Sequence, residues 1–210
     1  MTTPIKTDIL FGIPLGTTEI PIEICQELKN LPSTNQEDET LYEDRPDLYN
    51  VLQYNVKLKK TITEIFSLWL RNLTGDTAQK WVMTTNWVTQ NSNGREMTAH
   101  SHTNCLYSAV LYFDDLEEEH PPLELRNPLC LNMSMGINAD FNNPTPFFSY
   151  KFECPISTGL MLMFPSYLTH GHPAFKSKKS RRSFACNFFP IGRYGYADST
   201  LDTNWLQYDD

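Results

Sequence analysis

Two histidines one residue apart, His100 and His102, stand just ahead of an apolar run over residues 106–113. In extended backbone, residues i and i+2 share a face, so both imidazoles can converge on one point. A third imidazole, His170, follows a second apolar run (159–164) and the turn Phe164-Pro165-Ser166. Arg181 comes shortly afterwards, at the head of a segment in which Phe184, Cys186 and Phe188 alternate as in a half-buried strand. Imidazoles in that order, followed by a strand arginine, suit a non-haem iron site. Arg181-x-Ser183 sets a guanidinium and a hydroxyl on one strand face. There they can clamp a carboxylate, the guanidinium through a two-pronged charge-assisted bond.

Each signal alone has a plainer explanation. An H-x-H pair is equally a pair of solvated strand residues, and His170 and His172 taken singly read as surface or capping residues. Arg181 and Arg182 extend the basic run of Lys176, Lys178 and Lys179. Solvation explains the lysines. It explains Arg181 less well, because the strand pattern begins there.

The elements needed to position these residues are legible upstream and downstream. Residues 9–14 read as an edge strand. Pro21 opens a helix with Ile24, Cys25, Leu28 and Leu31 on one face, ended by Pro32. Residues 33–47 are polar and acidic and read as loop. Leu58, Ile62, Ile65, Phe66, Trp69, Leu70 and Leu73 follow the spacing of one buried helical face, stopped by Gly75. From Trp81 the period changes to strand. Candidates are 81–89, 106–113, 123–125, 130–135, 147–152, 159–164 and 183–189, with a turn at 91–94 and loops at 114–122 and 138–146. Two helices followed by many short strands predict a mainly β fold, a sandwich or jelly roll with helices packed outside. We expect one domain over 1–210, with a helical part at about 18–76 and a β core at about 80–190.

Composition narrows the function class. The chain is 40% hydrophobic and 20% charged, which argues against disorder. A formal charge of −8 argues against broad binding to nucleic acid or anionic membrane. Five widely spaced cysteines without a C-x-x-C suit reduced thiols in a cytoplasm. No stretch is long and apolar enough for a membrane span, so the expectation is a cytoplasmic protein.

The pattern W-V…G…H-x-H-x-N…S-x-V-x-Y runs through Trp87, Val88, Gly94, His100, His102, Asn104, Ser108, Val110 and Tyr112. It resumes as G-x-L-x-x-F-P-S-x-L-x-H from Gly159 to His170 and as R-x-S-x-x-x-N-F at Arg181, Ser183, Asn187 and Phe188. Together these resemble a family of 2-oxoglutarate/Fe(II) oxygenases common in bacteria and tailed phages. The resemblance implies a double-stranded β-helix, that is, a jelly roll, with Fe(II) at one open end. It implies that His100, His102 and His170 bind the metal and that Arg181, supported by Ser183, grips the distal carboxylate of 2-oxoglutarate. The implied activity is a dioxygenase, most simply a hydroxylase, consuming 2-oxoglutarate and O2. Asn104, Tyr107, Tyr112 and Asn187 are further candidates to line the pocket.

The wider superfamily usually has Asp or Glu where this chain has His102, and Asn104 is a weaker competitor for that place. Ala109 and Thr103 stand where the family favours glycine and proline. Two alternatives stay open on the residues alone: a zinc metallo-hydrolase, whose commoner H-x-H-x-D-H pattern lacks Asp and His at Asn104 and Cys105, and a non-catalytic jelly-roll binding module.

Overall fold

The computed structural model describes residues 12–35, 46–92, 94–128 and 149–206. In chain order these form β1 (Gly16–Glu19), α1 (Ile22–Lys29), β2 (Thr34–Asn35), a 3-10 turn (Pro46–Tyr49) and α2 (Val56–Thr74). Then come β3 (Lys80–Asn91), β4 (Met97–His100), β5 (Tyr107–Leu111), β6 (Leu123–Arg126), β7 (Lys151–Cys154) and β8 (Leu160–Pro165). The described chain closes with β9 (His170–His172), β10 (Arg181–Ile191), β11 (Arg193–Tyr194) and β12 (Leu201–Asp202).

Ten of these strands build two sheets. The larger has the order β1-β8-β5-β10-β3-β2 and the smaller β4-β9-β6-β7, while β11 and β12 pair separately. The alternating strand pattern gives the larger sheet two different faces. On β10, Phe184, Cys186 and Phe188 join Ala109 and Leu111 of β5 and Met161 and Met163 of β8 in a core shared with α1 and α2. The residues between them, Ala185, Val110, Leu162 and Phe164, form a second core with Leu123, Leu125 and Cys154 of the smaller sheet. The result is helices, sheet, sheet: a jelly-roll arrangement with the helices outside.

The helices hold the larger sheet from behind. Asn55 caps α2 by accepting from the Leu58 amide at 3.1 Å, and Gly75 ends it in the left-handed conformation (φ 73°). Phe66 is fully buried and stacks face to face on Phe188, with ring centroids 3.8 Å apart. Burying a side chain of that size contributes about 1.5–3 kcal/mol, so this pair is a strong tie between helix and β10.

Along the β3–β10 ladder Asn187 lies opposite Thr85 but Phe188 lies opposite Met83, so the pairing skips Thr84. Thr85, Trp87 and Thr89 line the cavity between the sheets, whereas Met83 packs toward the helices.

Several expectations need correction. The first described strand is at Gly16–Glu19, pairing with β8, and residues 12–14 form no strand; residues 9–11 lie outside the described residues. Within the segment expected to be loop, Thr34 and Asn35 pair with β3 in parallel. Leu73 is 47% exposed, so the buried face of α2 ends at Leu70. The expected strand over 130–135 and loop over 138–146 lie outside the described residues, as does Cys130; the strand expected at 147–152 begins at Lys151. Cys25, Cys105, Cys154 and Cys186 are unpaired. Among the described residues no helix is long and apolar enough to cross a membrane.

Candidate metal and cosubstrate site

His100 is the last residue of β4 and His170 the first of β9, and the two are direct partners across that ladder. Cross-strand partners project side by side, so the pairing itself brings these imidazoles together. His102 lies just past the end of β4, and its amide donates to the Ser166 carbonyl at 3.0 Å. Convergence therefore comes from a strand pair plus an anchored loop, not from a single extended H-x-H. The ring centroids are 4.6 Å apart for His100 and His170, and 5.0 Å for each of them with His102. One nitrogen of each ring lies within 4.8 Å of the other two.

Close approach of β4 and β9 depends on Gly171, where a Cβ would lie 2.4 Å from the Met97 carbonyl.

The ring tautomers follow from the partners. His100 Nδ1 lies 2.8 Å from the Thr98 carbonyl and His170 Nδ1 2.8 Å from the Leu168 carbonyl. A carbonyl only accepts, so each Nδ1 carries the proton and each Nε2 presents a lone pair. Such backbone tethers are how metal-binding histidines are aimed. Burial pushes the His170 pKa down to about 3, with His100 and His102 adding to it and the Leu168 carbonyl opposing. Burial, then the nearby His100, takes His102 to about 4. Both rings are neutral at physiological pH, the state a metal requires.

Arg181 is 1% exposed and lines the same cavity, of about 610 Å3, as the three histidines. Its Nη2 donates to the Tyr112 hydroxyl at 3.1 Å, and the guanidinium lies 5.0 Å from the centre of that ring. Its Nε has no partner, and among the described residues no carboxylate pairs with it. A buried cation without a counter-charge is costly unless an anion arrives. Ser183 is buried two residues on and lines the cavity as expected. Arg182 points the other way, to Asp114 and the Lys29 and Leu31 carbonyls. Lys176, Lys178 and Lys179 are exposed.

Of the four further candidates, Tyr112 and Asn187 line the cavity. Asn187 accepts from Ser108 at 2.7 Å and donates to Thr85 at 3.0 Å, within a buried polar group that includes Ser166. Asn104 and Tyr107 do not line it. Asn104 is exposed in a loop with φ 58°, a conformation asparagine tolerates better than most residues. Tyr107 falls on the helix side of β5, edge-on to Trp69 and Trp81 at 5.6 Å each.

Trp87 was not among the predicted site residues, yet it lines the cavity edge-on to His102 at 5.4 Å. The alternation of Thr85, Trp87 and Thr89 along β3 was the available signal. Thr34, within the segment read as loop, and Tyr49, just beyond it, also line the cavity. No period or motif there pointed to them. His120 and His172 are both buried. His120 accepts from the Glu117 amide and contacts the Lys179 carbonyl, a structural role in the loop.

Residues 85–187 match the family model described as "Putative 2OG-Fe(II) oxygenase". That stretch contains all three histidines and Arg181. No curated protein matches the chain. Among solved structures, the viral collagen prolyl hydroxylase vCPH from Paramecium Bursaria Chlorella virus-1 is similar, with 10% identity and TM-score 0.50 over 83% of this chain and 94% of that one. Apo HygX from Streptomyces hygroscopicus has 10% identity and TM-score 0.51, over 84% of this chain and 81% of that one. A 2OG-Fe(II) oxygenase family oxidoreductase from Burkholderia pseudomallei has 8% identity and TM-score 0.42. That match covers 58% of this chain and spans half of the other protein's length. At such identities the likeness speaks to the fold.

Proposed function

We propose that this chain, whose residues 85–187 match the 2OG-Fe(II) oxygenase family model, couples oxidative decarboxylation of 2-oxoglutarate to hydroxylation of a second substrate, with Fe(II) held by His100, His102 and His170. Arg181, backed by Ser183, holds the distal carboxylate of the cosubstrate. The observation that carries this reading is the pairing, in one cavity, of three convergent imidazoles with a buried arginine that no carboxylate among the described residues neutralises.

The donor set fits the metal. Imidazole nitrogen suits Fe(II), and three protein ligands leave positions for a chelating keto acid and O2. When bound, iron and 2-oxoglutarate supply the oxidising chemistry, yielding succinate and CO2 while one oxygen atom of O2 enters a substrate C–H bond. The chain's own residues bind and orient. His100 and His170 are kept in the metal-binding tautomer by the Thr98 and Leu168 carbonyls. Tyr112 fixes the guanidinium from one side, and the apolar wall of Val110, Leu123 and Ala185 limits water. Trp87, Tyr49 and Thr34 face the cavity and are the natural walls for the second substrate. Four free thiols suit a reducing compartment, and we read the cytoplasm as its location.

The test is anaerobic addition of Fe(II) and then 2-oxoglutarate, following the visible charge-transfer band of the chelate. The parent develops the band, while His102→Ala and His170→Ala bind iron weakly and do not. His102→Asp, which restores the ligand type usual in the superfamily, still binds Fe(II). A His102→Ala variant that titrates with iron like the parent would remove His102 from the metal site.

A further inference from the structure

Two of the three imidazoles are tethered at a ring nitrogen, and the third is not. His100 is held by the Thr98 carbonyl and His170 by the Leu168 carbonyl, each through Nδ1 at 2.8 Å. Among the described residues, neither ring nitrogen of His102 has a hydrogen-bond partner. Its polar tether is the main-chain amide, which donates to the Ser166 carbonyl at 3.0 Å. That bond fixes the backbone beyond the end of β4. It leaves two side-chain torsions, and the choice of which nitrogen faces the other imidazoles, to packing.

One ring outside the histidine set supplies that packing. Trp87 meets His102 edge-on, with centroids 5.4 Å apart, and the other ring contacts of His102 are with His100 and His170 themselves, at 5.0 Å each. Trp87 stands within the long strand β3, opposite Ala185 of β10, and packs on the core shared by the two sheets. Cross-strand partners project from the same face, so a small residue at 185 leaves room for the indole. Tyr49 touches the same indole, with centroids 6.2 Å apart. An imidazole carried by a loop therefore rests on a ring carried by a strand, the more precise of the two supports.

We propose that Trp87 is the positioning residue for His102: its ring does for this imidazole what the Thr98 and Leu168 carbonyls do for His100 and His170. This rests on reading His102 as a ligand of Fe(II). Indole N–H only donates, so Trp87 offers a metal no lone pair and acts through His102. An edge-to-face contact restrains the tilt of a ring without occupying either nitrogen. A ligand whose orientation is set in advance loses less freedom on binding, so the effect belongs to metal affinity and to the geometry around the metal. The requirement is for an aromatic ring rather than for indole, which leaves this wall of the cavity latitude toward the second substrate.

The test uses the full chain, metal-free and anaerobic, titrated with Fe(II) and in parallel with Co(II), whose visible spectrum reports the geometry around the metal. No second substrate is added. Trp87→Leu should weaken Fe(II) binding about twofold to tenfold, the scale of one edge-to-face pair, and shift the Co(II) spectrum, while Trp87→Phe keeps parent values. In a His102→Ala background, Trp87→Leu should change neither reading further, because the two act as one unit. Circular dichroism checks that each variant is folded, and Trp87→Met takes the place of Trp87→Leu if that one is not. Parent-like affinity and spectrum in Trp87→Leu, with His102→Ala impaired, overturn the positioning role and leave the ligand standing. Parent-like affinity in His102→Ala overturns the ligand itself. A loss in Trp87→Leu that is as large in the His102→Ala background, or that Trp87→Phe shares in full, would make the contact merely structural and refute the proposal.

Discussion

Replacing Arg181 and Tyr112 together, as Arg181→Met with Tyr112→Phe, should stabilise the metal-free protein while destroying the cosubstrate site. Moving a guanidinium into a site where no carboxylate among the described residues pairs with it costs several kcal/mol after relaxation, on the order of 4. Two observed contacts offset part of this. The hydrogen bond to Tyr112 at 3.1 Å is charge-assisted and contributes about 1.5–3 kcal/mol, and the ring contact at 5.0 Å about 0.5–1. A net cost of about 0–2 kcal/mol remains, so a methionine of similar reach should be tolerated as well or better. The single Arg181→Met change does not show this gain, because it strands the buried Tyr112 hydroxyl at a cost of about 1–3 kcal/mol. Removing both releases the gain, and in a chain of this size each kcal/mol moves the melting temperature by about 2–4 °C. Thermal unfolding in EDTA, comparing parent, single and double variants, measures it. The double variant should melt no lower than the parent, and up to about 8 °C above it, and show no added stabilisation from 2-oxoglutarate on metal loading. A double variant less stable than the parent would mean that Arg181 is satisfied without an anion, and the reasoning that ties it to a carboxylate would fail.

Gly171→Ala should weaken Fe(II) binding sharply while leaving the helices folded, because its Cβ would press on the Met97 carbonyl and part β4 from β9, the strands that carry His100 and His170; iron titration alongside far-ultraviolet circular dichroism separates the two effects. Stability of the metal-free protein should depend on pH through His170 and His102, held at about 3 and about 4 against an ordinary 6.5. The unfolded chain takes up these protons first, so the contribution is full above about pH 6.5 and drains as the pH falls toward 4 and then 3. Melting temperatures from pH 7 to pH 4.5 should therefore fall, and fall less steeply in a folded His170→Leu variant; an equal slope would refute the assignment.

Much of the site was legible because strand periodicity and histidine spacing are local properties. The alternation after Arg181 separated it from the neighbouring lysines, and the structure bears out both the buried Arg181 and the opposite-facing Arg182. Tyr107 and Tyr112 show where the method stops. Both lie in or just beyond the same strand, five residues apart, so one must face the helices and one the cavity, and the apolar run alone does not say which. Asn104 failed for a related reason: the H-x-H-x-N spacing continues a strand period, but the strand ends at His100 and a left-handed residue turns the chain away. Thr34 and Tyr49 were invisible because only tertiary packing brings a short parallel strand and a single 3-10 turn to the cavity. The buried contact of Asn91 Nδ2 with His172 Nε2, 2.6 Å apart, is of the same kind, set by the meeting of β3 in the larger sheet with β9 in the smaller.

The skipped Thr84 has a bearing on how such a site can diversify. In a regularly paired strand, residues 81, 83, 85, 87, 89 and 91 would all share one face of β3, and one row of side chains would border the same layer from end to end. With Thr84 skipped, the strand has a fixed foot, Trp81 and Met83, embedded against α2, and a free head, Thr85, Trp87 and Thr89, that borders the cavity. Side chains on the head can be exchanged to admit a different guest while the foot keeps its grip. One supernumerary residue thereby lets a single strand answer to two separate selective pressures.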